Sequence, residues 1–210
     1  MQRPAPMNIV FVCHGNATSQ STYHVLSLAE QLVHAGHHCI VCIPTHQQGD
    51  LAKIRATAVP VLDFAQVEAD GLRFPDGRGP TLIHCWTPRE VVRRFAETLL
   101  QQHGCPYFVH LEDNEHEILR RQLDGITYDE LCRLPAEEQE RRIPLPLLRI
   151  HPARHLAFMA GASGCTVLIE RLKEHVPSGV PVQLFWPGYD DCFARPPLQS
   201  RESLRARLDI

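Results

Sequence analysis

Residues 9–22, IVFVCHGNATSQST, decide the fold. An apolar run ends in a cysteine, a turn of Gly15 and small polar residues follows, and the chain then resumes with helical spacing. Residues 8–13 read as a buried strand. Over residues 22–35 the spacing sets Val25, Leu28, Ala29, Leu32 and Val33 on one helical face. Gly36 follows where a left-handed helix cap belongs. Strand, glycine turn and helix begin a β-α-β unit. Its turn lies where such units receive ligands, beyond a strand's carboxyl end and at a helix N-terminus whose free amides favour an anion.

The alternation continues outward from this stretch. Further strands are expected at 39–43, 59–64, 81–85, 107–111, 165–169 and 182–185. TPRE at 87–90 offers Thr87 as an N-cap, Pro88 at the first helical position and Glu90 at the third, with Val91 or Val92, Phe95, Ala96 and Leu99 as the buried stripe up to Gly104. Residues 114–142 are charged and helical in composition, with a break at Leu134-Pro135, and read as an insertion on the sheet. Pro152 can open a further helix, and residues 161–164 turn the chain into the next strand. Strands alternating with helices pair in parallel through right-handed crossovers. The expected fold class is therefore α/β, a doubly wound, mostly parallel sheet with helices on both faces, Rossmann-like.

Composition narrows the function. The 210 residues are 44% hydrophobic and 21% charged, which suits one sizeable core, and the net charge of −3 supplies no basic face for nucleic acid. The apolar stretches are far shorter than a bilayer span, and the N-terminus lacks a secretory pattern. Eight cysteines in a mid-sized chain without that pattern suit reduced thiols, so a cytoplasmic location is expected. Among thirteen histidines the tightest acidic grouping, His110, Glu112, Asp113 and His116, has no zinc-site spacing, and no metal or cofactor is expected. His37 and His38 read as surface residues. The arginines at 120, 121, 133, 141, 142, 149 and 154 are interleaved with acids and read as a solvated face.

The opening loop resembles the phosphate loop of low-molecular-weight tyrosine phosphatases, in which a cysteine, five residues and an arginine wrap a phosphate. The position that needs the arginine is Ser19, and no Asp-Pro pair supplies a general acid. Cys13 then reads as a small buried residue closing a strand. The loop lacks the glycines of a dinucleotide fingerprint as well.

In order along the chain, NIVFVCHGNATSQSTYHVLSLAEQLVHAGHHCIVCI, LIHCWTP, CPYFVHLED, GCTVLIERLKEHV and WPGYDDCFARP resemble the N-terminal half of two-domain GT-B glycosyltransferases. The group in view is the retaining one called group 1 or family 4. Pro187, Gly188, Asp190 and Phe193 carry the match to the interdomain signature. The resemblance implies a lead of residues 1–6, an acceptor-side domain at 7–195, and at 196–210 a linker into a donor-binding C-terminal domain that this chain lacks, so that the chain alone is inactive. It implies a nucleotide sugar and a hydroxyl-bearing acceptor as substrates and the C-terminal domain as a partner in cis. Many enzymes of the group also dock on the inner membrane face through basic helices, a contact that the mixed charge around the arginines at 120–154 does not support.

Gly15 and Asn16 would face the donor diphosphate. Thr18, Ser19, Trp86 and Asp113 would line the acceptor pocket. The histidine that commonly follows the Pro-led strand falls on Glu112, with His110 two residues earlier on the same strand face, so both are catalytic candidates. Asp113 is also a candidate N-cap, His84 reads as a buried, hydrogen-bonded residue, and Glu115 and His116 open the next helix. The alternatives are a non-catalytic binding module of the same fold and a phosphatase acting through Cys13.

Overall fold

The structure is a computed structural model that describes residues 5–45, 57–123, 125–143, 149–186 and 201–209. Its strands are β1 (Asn8–Cys13), β2 (His38–Ile43), β3 (Val61–Asp63), β4 (Leu82–Trp86), β5 (Tyr107–Leu111), β6 (Gly164–Val167) and β7 (Val182–Leu184). They form one seven-stranded sheet in the order β3-β2-β1-β4-β5-β6-β7, with every pair parallel. Helices α1 (Gln20–His34), α2 (Phe64–Asp70), α3 (Glu90–His103), α4 (Glu115–Gln122), α5 (Tyr128–Cys132), α6 (Ala136–Arg142), α7 (Pro152–Ala160) and α8 (Arg201–Leu208), with a 3-10 helix at Glu170–His175, make the connections and the C-terminal segment. The doubly wound α/β architecture expected from the alternation is the one observed.

Because a strand's side chains alternate between faces, each central strand feeds two cores. Ile9, Phe11 and Cys13 pack with Val25, Leu26 and Ala29 of α1. Val10, Val12, Ile83, Cys85 and Val109 pack on the other face with Val92, Phe95, Ala96 and Leu99 of α3 and with Phe158 and Met159 of α7. Leu119, Leu131, Ile143 and Ile150 form a small separate cluster under the insertion. Cys39 and Cys42 have C-x-x-C spacing. Being three apart on β2, they face opposite cores, and both thiols are free. Burial raises the Cys39 thiol to about 12. Among the described residues no helix is long and apolar enough to cross a membrane.

Several local expectations need correction. Thr87 does not cap α3: Arg89 occupies the N-cap position, and Thr87 has a φ of 82°. The Thr87 amide is drawn to the His110 carbonyl at 2.9 Å, and the Glu90 amide goes to the Arg149 carbonyl, so sheet and neighbouring chain satisfy the donors that a side-chain cap would have taken. Val33 is 39% exposed at the mouth of a cavity beside the start of β2, and Leu26 is buried in the α1 core instead. Gly36 does close α1: its φ is 98°, and paired bonds from Gly36 to Val33 and from His37 to Leu32 complete a Schellman motif. His37 and His38 are half-buried and bonded to the Met7 amide and to Asn8, because β2 begins immediately after the turn and pairs with β1 there.

Candidate functional site

The sheet order reverses direction at β1, which lies between β2 and β4, and this switch point opens a crevice beyond the strands' carboxyl ends. Three segments meet there: the turn after β1, the end of β4 and the end of β5. Glu112 follows β5 directly, and its carboxylate gathers donors from both sides of the switch. Ser21 Oγ of α1 and Trp86 Nε1 of β4, the latter at 3.3 Å, donate to Oε2. His24 Nδ1 of α1 lies 2.7 Å from Oε1. Ser21 and His24 share a helix face because they are three residues apart.

With Nδ1–H donated to the carboxylate, a neutral His24 keeps its lone pair on Nε2. The ring is 23% exposed and Glu112 only 9%, so the carboxylate is the buried anchor and the imidazole the accessible end. That arrangement can orient a histidine while its outer nitrogen takes a hydrogen bond from a hydroxyl.

His110 lies beneath this group. It is fully buried, and its ring packs on Trp86 with centroids 4.1 Å apart. Nδ1 meets Thr166 Oγ1 at 2.8 Å, while Nε2 is enclosed without a partner. Burial, aided by His84 and His24, lowers its pKa to about 3, so the ring is neutral. His84 is half-buried, meets Thr166 at 3.4 Å, and is held near pKa 4 by burial.

The turn itself is built largely from internal contacts. Asn16 Oδ1 accepts from the Thr18 amide at 3.1 Å and from Thr18 Oγ1 at 2.9 Å. Ser19 is the N-cap of α1: its Oγ accepts from the Thr22 amide at 3.2 Å. A Cβ on Gly15 would lie 2.2 Å from Ser19 Oγ, so glycine is required there by the close approach of the cap. Cys13 is completely buried, and burial pushes its thiol far up, the opposite of an activated nucleophile.

Glu112 and Trp86 are therefore brought into one hydrogen-bonded group, with His110 stacked below. Asn16 and Thr18 lie exposed on the turn, Gly15 and Ser19 half-buried within it, and Trp86 is fully buried. Asp113 stands apart, half exposed, with Arg89 Nη2 at 3.5 Å. It is not the helix cap. Asn114 is, accepting from the Glu117 amide, because the residue immediately before the first helical turn is the one placed to reach that donor. Pro187, Gly188, Asp190 and Phe193 lie outside the described residues.

Three residues of this edge escape a reading of the sequence. His24 is signalled only by its spacing from Ser21. Arg89 is buried, and its Nε lies 2.9 Å from both oxygens of Glu115, the first residue of α4. Glu115 is raised by burial, with Arg89 opposing. His14 is held near pKa 4 by burial first and Arg89 second, and it hydrogen-bonds the backbone of Trp86. His116 stacks face to face on Tyr128, with centroids 3.7 Å apart, within the insertion. Among the described residues no group of three or more His, Cys, Asp or Glu side chains is disposed to hold a metal ion.

No protein-family model matches the chain, and no curated protein matches it. Solved structures do. Anabaena Alr3699/HepE, in a structure with UDP and glucose, superposes with a TM-score of 0.57 at 12% identity over 96% of this chain and 50% of that one. LpCGTa in complex with UDP gives 0.51 at 14% identity over 96% and 62%. Apo UGT2 of Phytolacca americana gives 0.50 at 16% identity over 90% and 54%. The likeness is one of fold, and the chain spans about half to three-fifths of the length of these proteins.

Proposed function

We propose that this chain is the acceptor-side half of a nucleotide-sugar-dependent glycosyltransferase, working with a second, donor-binding domain. The observation that carries the reading is the Glu112 carboxylate at the switch point, bonded to Ser21 and His24 on one side and Trp86 on the other. The fold likeness to proteins solved with UDP or with UDP and glucose supports the substrate class. In this reading His24 Nε2 receives the hydrogen bond of the acceptor hydroxyl, and Glu112 holds the ring. The turn at Gly15 and Asn16 lies toward the donor diphosphate, and Thr18 and Asp113 border the acceptor. Ser19 acts through the helix start that it caps, and Trp86 and His110 act by supporting Glu112 from below. The nucleotide sugar is a substrate, and the chemistry calls for no cofactor. Retention of anomeric configuration is the finer reading that the family resemblance adds, and the cytoplasm, where nucleotide sugars are available, is the matching location.

The test is transfer of labelled glucose from UDP-glucose to hydroxyl acceptors by the intact protein. Glu112→Gln should lower kcat by about 100-fold or more, within the range of positioned acid-base groups, with the anomeric proton of the product read by NMR. A full rate in Glu112→Gln would remove the site assignment. A second reading, a non-catalytic binding module, is favoured by the turn's hydrogen bonds being spent internally. Saturable UDP-glucose binding without turnover by the intact protein would establish it.

A further inference from the structure

At the opposite, amino-terminal edge of the sheet, the start of β2, the end of α1 and the loop after α2 line an open cavity of about 410 Å³. That volume lies within the range of small-molecule sites. Val33, Pro60 and Phe74 give it apolar walls, and His37, His38 and Arg73 bring polar groups to it. No carboxylate lines it among the described residues. Val33 is one of the few large apolar side chains left exposed, and it is exposed here.

The hydrogen bonds fix what the wall offers. His37 Nδ1 accepts from the Met7 amide at 3.1 Å, so a neutral His37 carries its proton on Nε2 as a donor. Asn8 Nδ2 donates to Asp76 and to the Gly79 carbonyl, which turns Asn8 Oδ1 toward His38 and makes His38 Nδ1 the donor in that 2.9 Å bond. Arg73 is exposed and takes part in no ion pair among the described residues. Asp76, two residues from the cavity-lining Phe74, is already held by Asn8 and Arg78.

We propose that this cavity is a second ligand site, separate from the carboxyl-edge crevice, and that it takes a small aromatic anion, its ring against Val33, Pro60 and Phe74 and its acidic group on Arg73 and His37. Among the described residues, an apolar pocket with an unpaired guanidinium and no acid at its wall selects that chemistry over a neutral or cationic guest.

The test compares 8-anilinonaphthalene-1-sulfonate with its uncharged analogue N-phenyl-1-naphthylamine in fluorescence titrations of the whole chain. One sulfonate per chain should bind, about tenfold more tightly than the analogue, which is what one charge-assisted bond contributes. Arg73→Gln should erase that tenfold difference while leaving the circular dichroism unchanged, and Val33→Trp, which fills the cavity, should abolish binding of both dyes. UDP should not displace the sulfonate. Equal affinity of wild type and Arg73→Gln for the sulfonate, full binding by Val33→Trp, or displacement by UDP would each overturn the proposal.

Discussion

Glu112 illustrates how one side chain acquires a role from neighbours distant in sequence. Its donors come from residues 21, 24 and 86, and each alone is an ordinary helix or strand residue. If Glu112 works through His24, the two act as a unit. In the intact protein, Glu112→Gln combined with His24→Ala should then cost no more turnover than the worse single change, whereas independent roles would multiply. Thr87 offers a separate test. Its φ of 82° is a conformation that favours glycine, and its hydroxyl is buried without a partner. Thr87→Gly relieves both penalties, so it should raise the unfolding free energy by about 1 kcal/mol in urea titrations. A loss of stability would show that the threonine methyl contributes more by packing than the strained backbone costs.

At the scale of elements, the turn into α1 depends on a glycine and a serine that fit together. Gly15→Ala places a methyl against Ser19, which must abandon its cap or push the turn open, and should cost about 1–3 kcal/mol, as overpacking does. Ser19→Gly in the same chain removes the obstructing side chain and costs only a few tenths as a cap. The double variant should therefore be more stable than Gly15→Ala alone, as read by thermal melting. Equal melting points would mean that Gly15 is needed for some other reason. Helix α3 teaches the complementary lesson. TPRE has the composition of a capped start, yet the helix begins at Glu90, because the Thr87 amide is taken by β5 and Glu90 is taken by Arg149, Arg93 and Arg154. Local preference yields where the chain next to it in space supplies stronger partners.

For the whole molecule, the buried histidines set a pH limit. Burial holds His110 near pKa 3 and His155 near 4, against about 6.5 in an unfolded chain. Below pH 6.5 the unfolded state gains protons that the folded state refuses, so stability is full above that pH and falls as pH drops toward 4. Each group contributes a slope of up to about 1.4 kcal/mol per pH unit. The urea midpoint should be lower at pH 5 than at pH 7, and His110→Phe should make the decline shallower. An unchanged slope would mean that His110 is protonated in the fold as readily as outside it.

The sequence by itself determined the alternation of strands and longer helices, since hydrophobic period and glycine placement are local properties, whereas α2 at Phe64–Asp70 starts inside the stretch read as a strand over 59–64. Asn8–Cys13 and Tyr107–Leu111 are found as read, and Gly36 and Gly104 end their helices with positive φ. Buried strands also made Cys13 legible as core. Only the tertiary structure decided which polar residues meet. Parallel crossovers place residues 21, 24, 86 and 112 side by side although up to 91 positions separate them. No local pattern records such a distance, because the chain between them encodes its own helices and the sheet register alone brings the ends together.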